Sequence, residues 1–276
     1  MFFAMFKKKD VRIMSIQLVI FDVDGTLYDE KTHQVPSSAI AAIKAMKKKQ
    51  VRFAIATGRA PYGLGKAIDS LHADYVIADS GGLVVDQTGT ILWKQDIPYT
   101  DVCSLLTFAQ EIEAGLVFKF PRHMYIYQNP EKIEWLLGQM NSDIGREPFI
   151  FHPEQDRHFL ELPQCASLHG DAKQILAFAK NSPLSFQQFS DTGFDVAPAG
   201  VDKGKAVTRL LQLLQIEPAD CACFGDSYND RSMMEACGRR IAMGNAAASI
   251  KAIADHVTSD VDKDGILNGL RYLRIL

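Results

Sequence analysis

The chain has no CxxC pair, no apolar run near the roughly 20 residues that a bilayer demands, and no marked excess of charge of either sign. Each absence removes a class of function. Five cysteines, Cys103, Cys165, Cys221, Cys223 and Cys237, form an odd set without zinc or redox spacing, and they read as reduced, mostly buried thiols of a cytoplasmic protein. The formal net charge of −3 leaves no electrostatic footprint for nucleic acid, and the lysine clusters at 7–9 and 47–49 are short enough to be a terminus and a helix end. No segment suits a membrane partner. The N-terminal MFFAMFKKKD sets its apolar residues before its lysines, the reverse of a secretory signal. No GxGxxG turn follows the first strand, which excludes a dinucleotide-binding oxidoreductase. Internal repeats and low-complexity tracts are also missing.

What is present is a hydrophobic fraction of 47% in 276 residues, which excludes general disorder and suits two domains or one domain with a large insertion. IQLVIF (16–21), VRFAIAT (51–57) and DYVIAD (74–79) have the length and branching of strands buried on both faces. Helical spacing lies between them, in PSSAIAAIKAMKKKQ and through GLGKAIDSLH (63–72). The rhythm returns late in the chain, in DKGKAVTRLLQLLQ, CACFGD, SYNDRSMMEAC, RIAMG and AAASIKAIAD. Between the halves, GGLVVDQTGTILWKQ predicts a hairpin, and aromatic-rich pieces follow with two helices, TDVCSLLTFAQEI and GDAKQILAFAKN. The predicted fold is α/β, a Rossmann-like doubly wound parallel sheet carrying an inserted α+β domain. The expected boundaries are a core over 14–84 and 197–276, an insertion over 85–196, and a flexible extension over 1–13, with Met14 as the natural start.

Ligands of an open parallel sheet bind beyond the carboxyl ends of its strands. Asp22 and Asp24 follow the first strand there, Thr57, Gly58 and Arg59 the second, and Asp226 the CACFG strand, while Lys203 opens the helix leading into it. A spacing of two turns Asp22 and Asp24 toward the same side of an extended backbone, where a cation must offset their repulsion. Asp22 and Asp226 together suit Mg²⁺, which is held by one or two carboxylates with waters and phosphate completing its shell. Gly25 and Gly225 permit tight turns beside the ion. Lys203 and Thr57 add a charge and a hydroxyl suited to phosphoryl oxygens.

DVDGT (22–26), TGR (57–59), the lysine of DKGKA (202–206) and GDSYND (225–230) resemble the four motifs of the haloacid dehalogenase superfamily, in its order. The long insertion between the second and third motifs resembles the cap of its Cof-type phosphatases. The resemblance runs through nearly the whole chain from residue 16 and implies residue roles. Asp22 would attack phosphorus and form an aspartyl-phosphate. Asp24 would protonate the leaving oxygen, then deprotonate the hydrolytic water, with its backbone carbonyl on Mg²⁺. Thr57, Gly58, Arg59, Lys203 and Asn229 would hold phosphate or substrate, and Asp22, Asp24, Asp226 and Asp230 would form the metal site. Asp24 selects phosphate-ester hydrolysis, because the dehalogenases lack an acid there. The expected activity is a Mg²⁺-dependent phosphatase acting on small soluble phosphomonoesters, such as sugar phosphates or phosphorylated cofactors. A phosphomutase of this fold and a weakly catalytic binder of phosphorylated metabolites are the alternatives, and the protein would be a monomer or small homo-oligomer.

Ser80 departs from the pattern, standing where these proteins usually carry asparagine. DVDKDG (260–265) opens like a calcium loop, but Arg271 holds its twelfth position, so it reads as a turn before the last helix. GLGKA lacks the glycine and hydroxyl of a phosphate-cradling loop. Asp29 has no motif counterpart and reads as a loop residue. His152 and His158 read as surface or packing residues of the insertion, and Lys119, Arg122, His123 and Tyr125 are candidates for specificity.

Overall fold

A computed structural model of the chain describes residues 16–133, 149–151 and 156–276. It opens with β1 (Leu18–Phe21), α1 (Ser37–Lys48), β2 (Arg52–Ala56), the single-turn α2 (Lys66–Asp69), β3 (Tyr75–Ala78) and the hairpin β4 (Leu83–Asp86) and β5 (Ile91–Lys94). Next come α3 (Tyr99–Glu111), β6 (Gly115–Lys119), β7 (Met124–Gln128), β8 (Phe149–Phe151), β9 (Cys165–His169), α4 (Ala172–Ala179), β10 (Leu184–Gln188) and β11 (Gly193–Pro198). The last part holds α5 (Lys203–Leu214), β12 (Cys221–Gly225), α6 (Arg231–Ala236), β13 (Arg239–Ala242), α7 (Ala248–Lys251), β14 (His256–Val257) and α8 (Gly265–Tyr272).

The larger sheet has the order β14-β13-β12-β1-β2-β3-β4-β5, parallel from β14 through β3. Its centre is β1, whose Leu18, Val19, Ile20 and Phe21 are fully buried, as a strand covered on both faces requires. Phe21 lies beside Phe224 of β12 and Ile55 of β2, so the residues that follow these three strands emerge together at one edge. The hairpin β4–β5 pairs antiparallel to β3 and completes this sheet, so residues 85–94 lie in it rather than in the insertion expected over 85–196. Alternation in sequence predicts a hairpin but not the sheet it joins.

The smaller sheet has the order β10-β11-β9-β6-β7-β8. Leu116 and Phe118 of β6, Ala166 and Leu168 of β9, and Phe194 and Val196 of β11 turn one face into a core with α3 and α4. Period-two geometry sends the intervening residues to the other face. The two sheets meet where Ile97 N donates to Pro163 O at 2.7 Å, Lys94 Nζ to Leu162 O at 2.8 Å, and Gln164 Nε2 to Asp79 Oδ2 at 2.9 Å.

Several helices are shorter than their patterns. Gly65, at φ 83°, interrupts the stretch 63–72, leaving a 3-10 turn at Pro61–Gly63 and α2. Tyr228–Asp230 is likewise a 3-10 turn before α6, and α7 ends early because Asp255 N turns back to Arg240 O at 2.8 Å to start β14. Residues 261–264 form the turn before α8. Four cysteines are buried, Cys103 is half-buried, and all five are free thiols. No helix among the described residues is long and apolar enough to cross a membrane. His158 is buried and stacks on Tyr99, whereas residues 1–13, Met14 and His152 lie outside the described residues.

Candidate active site

Lys203 is the first residue of α5, behind a cap in which Asp202 accepts from Lys205 N at 2.8 Å. Its Nζ donates to Asp22 Oδ1 and Asp230 Oδ1, each at 2.6 Å, joining groups 181 and 27 residues apart. All three are buried. The other oxygen of Asp230 accepts from the amides of Asp226 and Ser227 at 3.0 Å, so this carboxylate braces the lysine and the loop after β12 together. Asp226 Oδ1 accepts from Thr26 Oγ1 at 2.8 Å. The loop after β1 passes so close that a Cβ on Gly25, at φ +81°, would lie 2.4 Å from Asp226 Oδ2. Gly81 plays the matching part on the other side, since a Cβ there would lie 2.3 Å from Asp202 O at the start of α5.

Burial opposes the charge of Lys203, but Asp22 and Asp230 outweigh it and hold the lysine protonated. Asp22 is pushed well above the usual carboxylate range, first by burial and then by Asp230. Asp226 rises to about 6, again mainly through burial. One lysine is thus too little cation for the carboxylates around it. Oxygens of Asp22, Asp226 and Asp230 lie within 4.8 Å of one another. An all-oxygen donor set short of positive charge fits a hard divalent cation such as Mg²⁺.

Thr57 is buried after β2, and its Oγ1 accepts from Arg59 N at 3.1 Å. Arg59, expected to hold phosphate or substrate, is itself bound within the protein. Its Nε and Nη2 donate to the two oxygens of Asp24 at 3.1 and 2.5 Å, while Nη1 binds Leu64 O at 3.1 Å and the guanidinium lies 5.3 Å from the centre of the Tyr28 ring. Ser80, at φ 55°, donates its amide to Thr57 O at 3.0 Å, in the left-handed region that asparagine tolerates better. Asn229 accepts from Ser227 Oγ at 2.7 Å. Asp29 caps its own turn, accepting from Lys31 N at 3.0 Å and Thr32 Oγ1 at 2.8 Å.

Asp22, Asp24, Thr57, Gly58, Arg59 and Asn229 open on a cavity of about 280 Å³ whose far wall is the polar face of the smaller sheet. Lys119 is on that wall, but Arg122, His123 and Tyr125 do not line the cavity, and Tyr125 instead lies under Arg157, 5.7 Å from its ring centre. Sequence reasoning passed over Ser167, His169, Gln187 and Asp195, which line it. Their signal is the alternation in CASLH and SFQQ, polar on one face. It also passed over Asn245, whose Nδ2 donates to Gly25 O at 2.8 Å while its Oδ1 accepts from Val261 N at 2.9 Å, tying down the loop that carries Asp24.

Residues 19–270 match the model of a family described as haloacid dehalogenase-like hydrolase. YkrA of Bacillus subtilis (strain 168) is 28% identical over 267 residues, covering 95% of this chain and 100% of its own length. The HMP-PP phosphatase of Escherichia coli O6:H1 is 26% identical over 254 residues, covering 87% of this chain and 89% of its own. Among solved structures, BT1666 from Bacteroides thetaiotaomicron, described among phosphatases of this superfamily, superposes with a TM-score of 0.83 at 25% identity over 96% of this chain and 98% of its own. With the family model spanning all four motifs and the fold shared end to end, the chain belongs to the haloacid dehalogenase-like hydrolases, in their Cof-type phosphatase branch.

Proposed function

We propose that the chain is a Mg²⁺-dependent phosphatase that hydrolyses small soluble phosphomonoesters through an aspartyl-phosphate on Asp22. The observation that carries this reading is Lys203 holding Asp22 and Asp230 at 2.6 Å beside Asp226, with Asp22 itself opening on a cavity shared by both sheets.

Lys203 fixes Oδ1 of Asp22, leaving Oδ2 as the attacking oxygen. Bond formation from Oδ2 to phosphorus breaks the bond to the leaving oxygen, which takes a proton from Asp24. A water then attacks the phosphoryl group and gives its proton to Asp24, the Asp22–phosphorus bond breaks, and inorganic phosphate leaves. Thr57, with the backbone at Gly58, and Asn229 orient the phosphoryl oxygens, and Lys203 offsets their charge. Asp22, Asp226 and the carbonyl of Asp24 would hold Mg²⁺, with Asp230 supporting it from behind. When bound, the ion supplies charge neutralisation and alignment of the phosphate. The smaller sheet acts as the cap, excluding water and selecting the leaving group. A relative named HMP-PP phosphatase supports a phosphorylated metabolite as substrate.

The test is phosphate release from a panel of phosphomonoesters with Mg²⁺ and with EDTA. Release should require Mg²⁺ and vanish in Asp22→Asn. Turnover that persists in that variant would overturn the mechanism. Asp24→Asn should slow turnover by about 10²–10⁴-fold while leaving Mg²⁺ binding largely intact.

A further inference from the structure

Building on the phosphatase reading above, we infer that Asn245 is a positioning residue of the transfer centre. It ties the turn that carries Asp24 to the backbone that carries Asp226, and so sets both the affinity for Mg²⁺ and the alignment of the group in transfer.

The turn after β1 is held within itself. Thr26, Leu27 and Tyr28 donate their amides to Val23 O at 3.2, 2.9 and 2.8 Å, and Gly25 N donates to Tyr28 O at 3.0 Å. A turn bonded in this way moves as a body, so the place of Asp24 relative to Asp226 depends on the bonds that leave it. Arg59 holds the Asp24 side chain, and Thr26 Oγ1 reaches Asp226 Oδ1. A further link runs from Asn245 Nδ2 to Gly25 O at 2.8 Å, one residue along from the Asp24 carbonyl proposed to face the ion. It occupies none of the oxygens proposed to hold Mg²⁺.

Asn245 is itself placed from the β12 side. Met243 N donates to Gly225 O at 3.0 Å and Ala247 N to Asp226 O at 2.9 Å, so the loop after β13 is fastened on either side of Asn245 to the backbone that carries Asp226. Asn245 Oδ1 accepts from Val261 N at 2.9 Å, which leaves Nδ2 as the end of the amide that faces Gly25. The acidic turn that opens like a calcium loop supplies that bond. It packs closely on the loop, since Gly244 N donates to Ser259 O at 2.9 Å and a Cβ on Gly244 would lie 2.5 Å from Asp260 N. Its part is to orient the amide of Asn245.

Asn245 is exposed, so its replacement removes little packing, and a neutral hydrogen bond open to water adds little to folding. The site is more sensitive. Mg²⁺ demands near-ideal octahedral geometry, so a small drift of the Asp24 carbonyl from Asp226 weakens the hold on the ion while leaving the fold intact.

The experiment compares the full chain with Asn245→Ala and Asn245→Asp in three measurements. These are Mg²⁺ affinity by titration calorimetry without substrate, kcat and KM for acetyl phosphate at saturating Mg²⁺, and the urea midpoint in EDTA. Asn245→Asp keeps an acceptor for Val261 N and loses the donor to Gly25 O. Both variants should bind Mg²⁺ about tenfold more weakly and lose about tenfold in kcat, with KM changed little and the urea midpoint that of the wild type. The charge added in Asn245→Asp would by itself favour a cation, so weaker binding there reads the lost bond to Gly25. Wild-type Mg²⁺ affinity in both variants would overturn the inference. A loss confined to Asn245→Ala would overturn it too, because the effect would then belong to the bond from Val261. So would urea midpoints that fall in step with the affinity, which would make the role structural. A wild-type chain that binds no Mg²⁺, or that releases no phosphate from acetyl phosphate, would instead overturn the phosphatase reading beneath it.

Discussion

Arg59 and Asp24 face each other as fork and carboxylate, Nε to Oδ2 at 3.1 Å and Nη2 to Oδ1 at 2.5 Å, across 35 residues of chain. The group proposed to move protons is thus oriented from the adjacent strand end. A guanidinium pinned by Leu64 O and the Tyr28 ring holds it there.

Arg59→Lys keeps the charge but loses the fork, because an ammonium cannot meet both oxygens in one plane. We expect kcat to fall about tenfold with KM changed less, since the loss is one of alignment. The loss should be smaller for aryl than for alkyl phosphates, whose leaving oxygen depends more on its proton. Equal loss for both would remove the positioning role.

Lys203→Ala leaves Asp22 and Asp230 buried without their shared cation. Breaking such a buried cluster costs about 3–5 kcal/mol. Urea denaturation in EDTA measures it, and a loss under about 1 kcal/mol would mean that the carboxylates relax or protonate without penalty.

Mg²⁺ should raise the melting temperature, because it binds the folded carboxylate cluster and not the unfolded chain. At about 100 times Kd the stabilisation is about 2.7 kcal/mol. Asp226→Asn should abolish the increment while keeping the fold. A Mg²⁺ response unchanged in that variant would place the ion elsewhere.

Asp79, fully buried where the two sheets meet, is raised by burial to about 6 from an ordinary value of 3.8. Its folded form favours the proton, so its contribution is complete below pH 3.8 and is lost as pH rises through about 6. The shift corresponds to about 3 kcal/mol above that pH. Asp79→Asn keeps an acceptor for Gln164 Nε2 and cannot ionise. Its stability should exceed that of the wild type at pH 8 and converge with it near pH 4, measured by urea denaturation at each pH. A difference that does not change with pH would locate the effect elsewhere.

Much of the parallel core was legible, because strands buried on both faces must be continuous apolar runs and β1 is one such run. The pairing of Asp22, Asp226 and Lys203 was legible for a related reason. A parallel sheet sends the ends of neighbouring strands to one edge, so strand-end carboxylates far apart in sequence had to meet. Helix lengths were not legible, since a left-handed Gly65 and the backbone pull of Asp255 on Arg240 shorten patterns that look longer.

The sequence by itself determined the class of chemistry, through carboxylates at fixed spacing after apolar strands and a lysine at a helix start. Only the tertiary structure decided which cations are free and which are spent. Arg59 is committed to Asp24 and Lys119 to Asp195, and neither contact follows from local spacing, because each joins elements brought together by packing. The hairpin at 83–94 is the same case: alternation specifies a ribbon with one buried face, but only the unpaired edge of β3 decides where that ribbon docks.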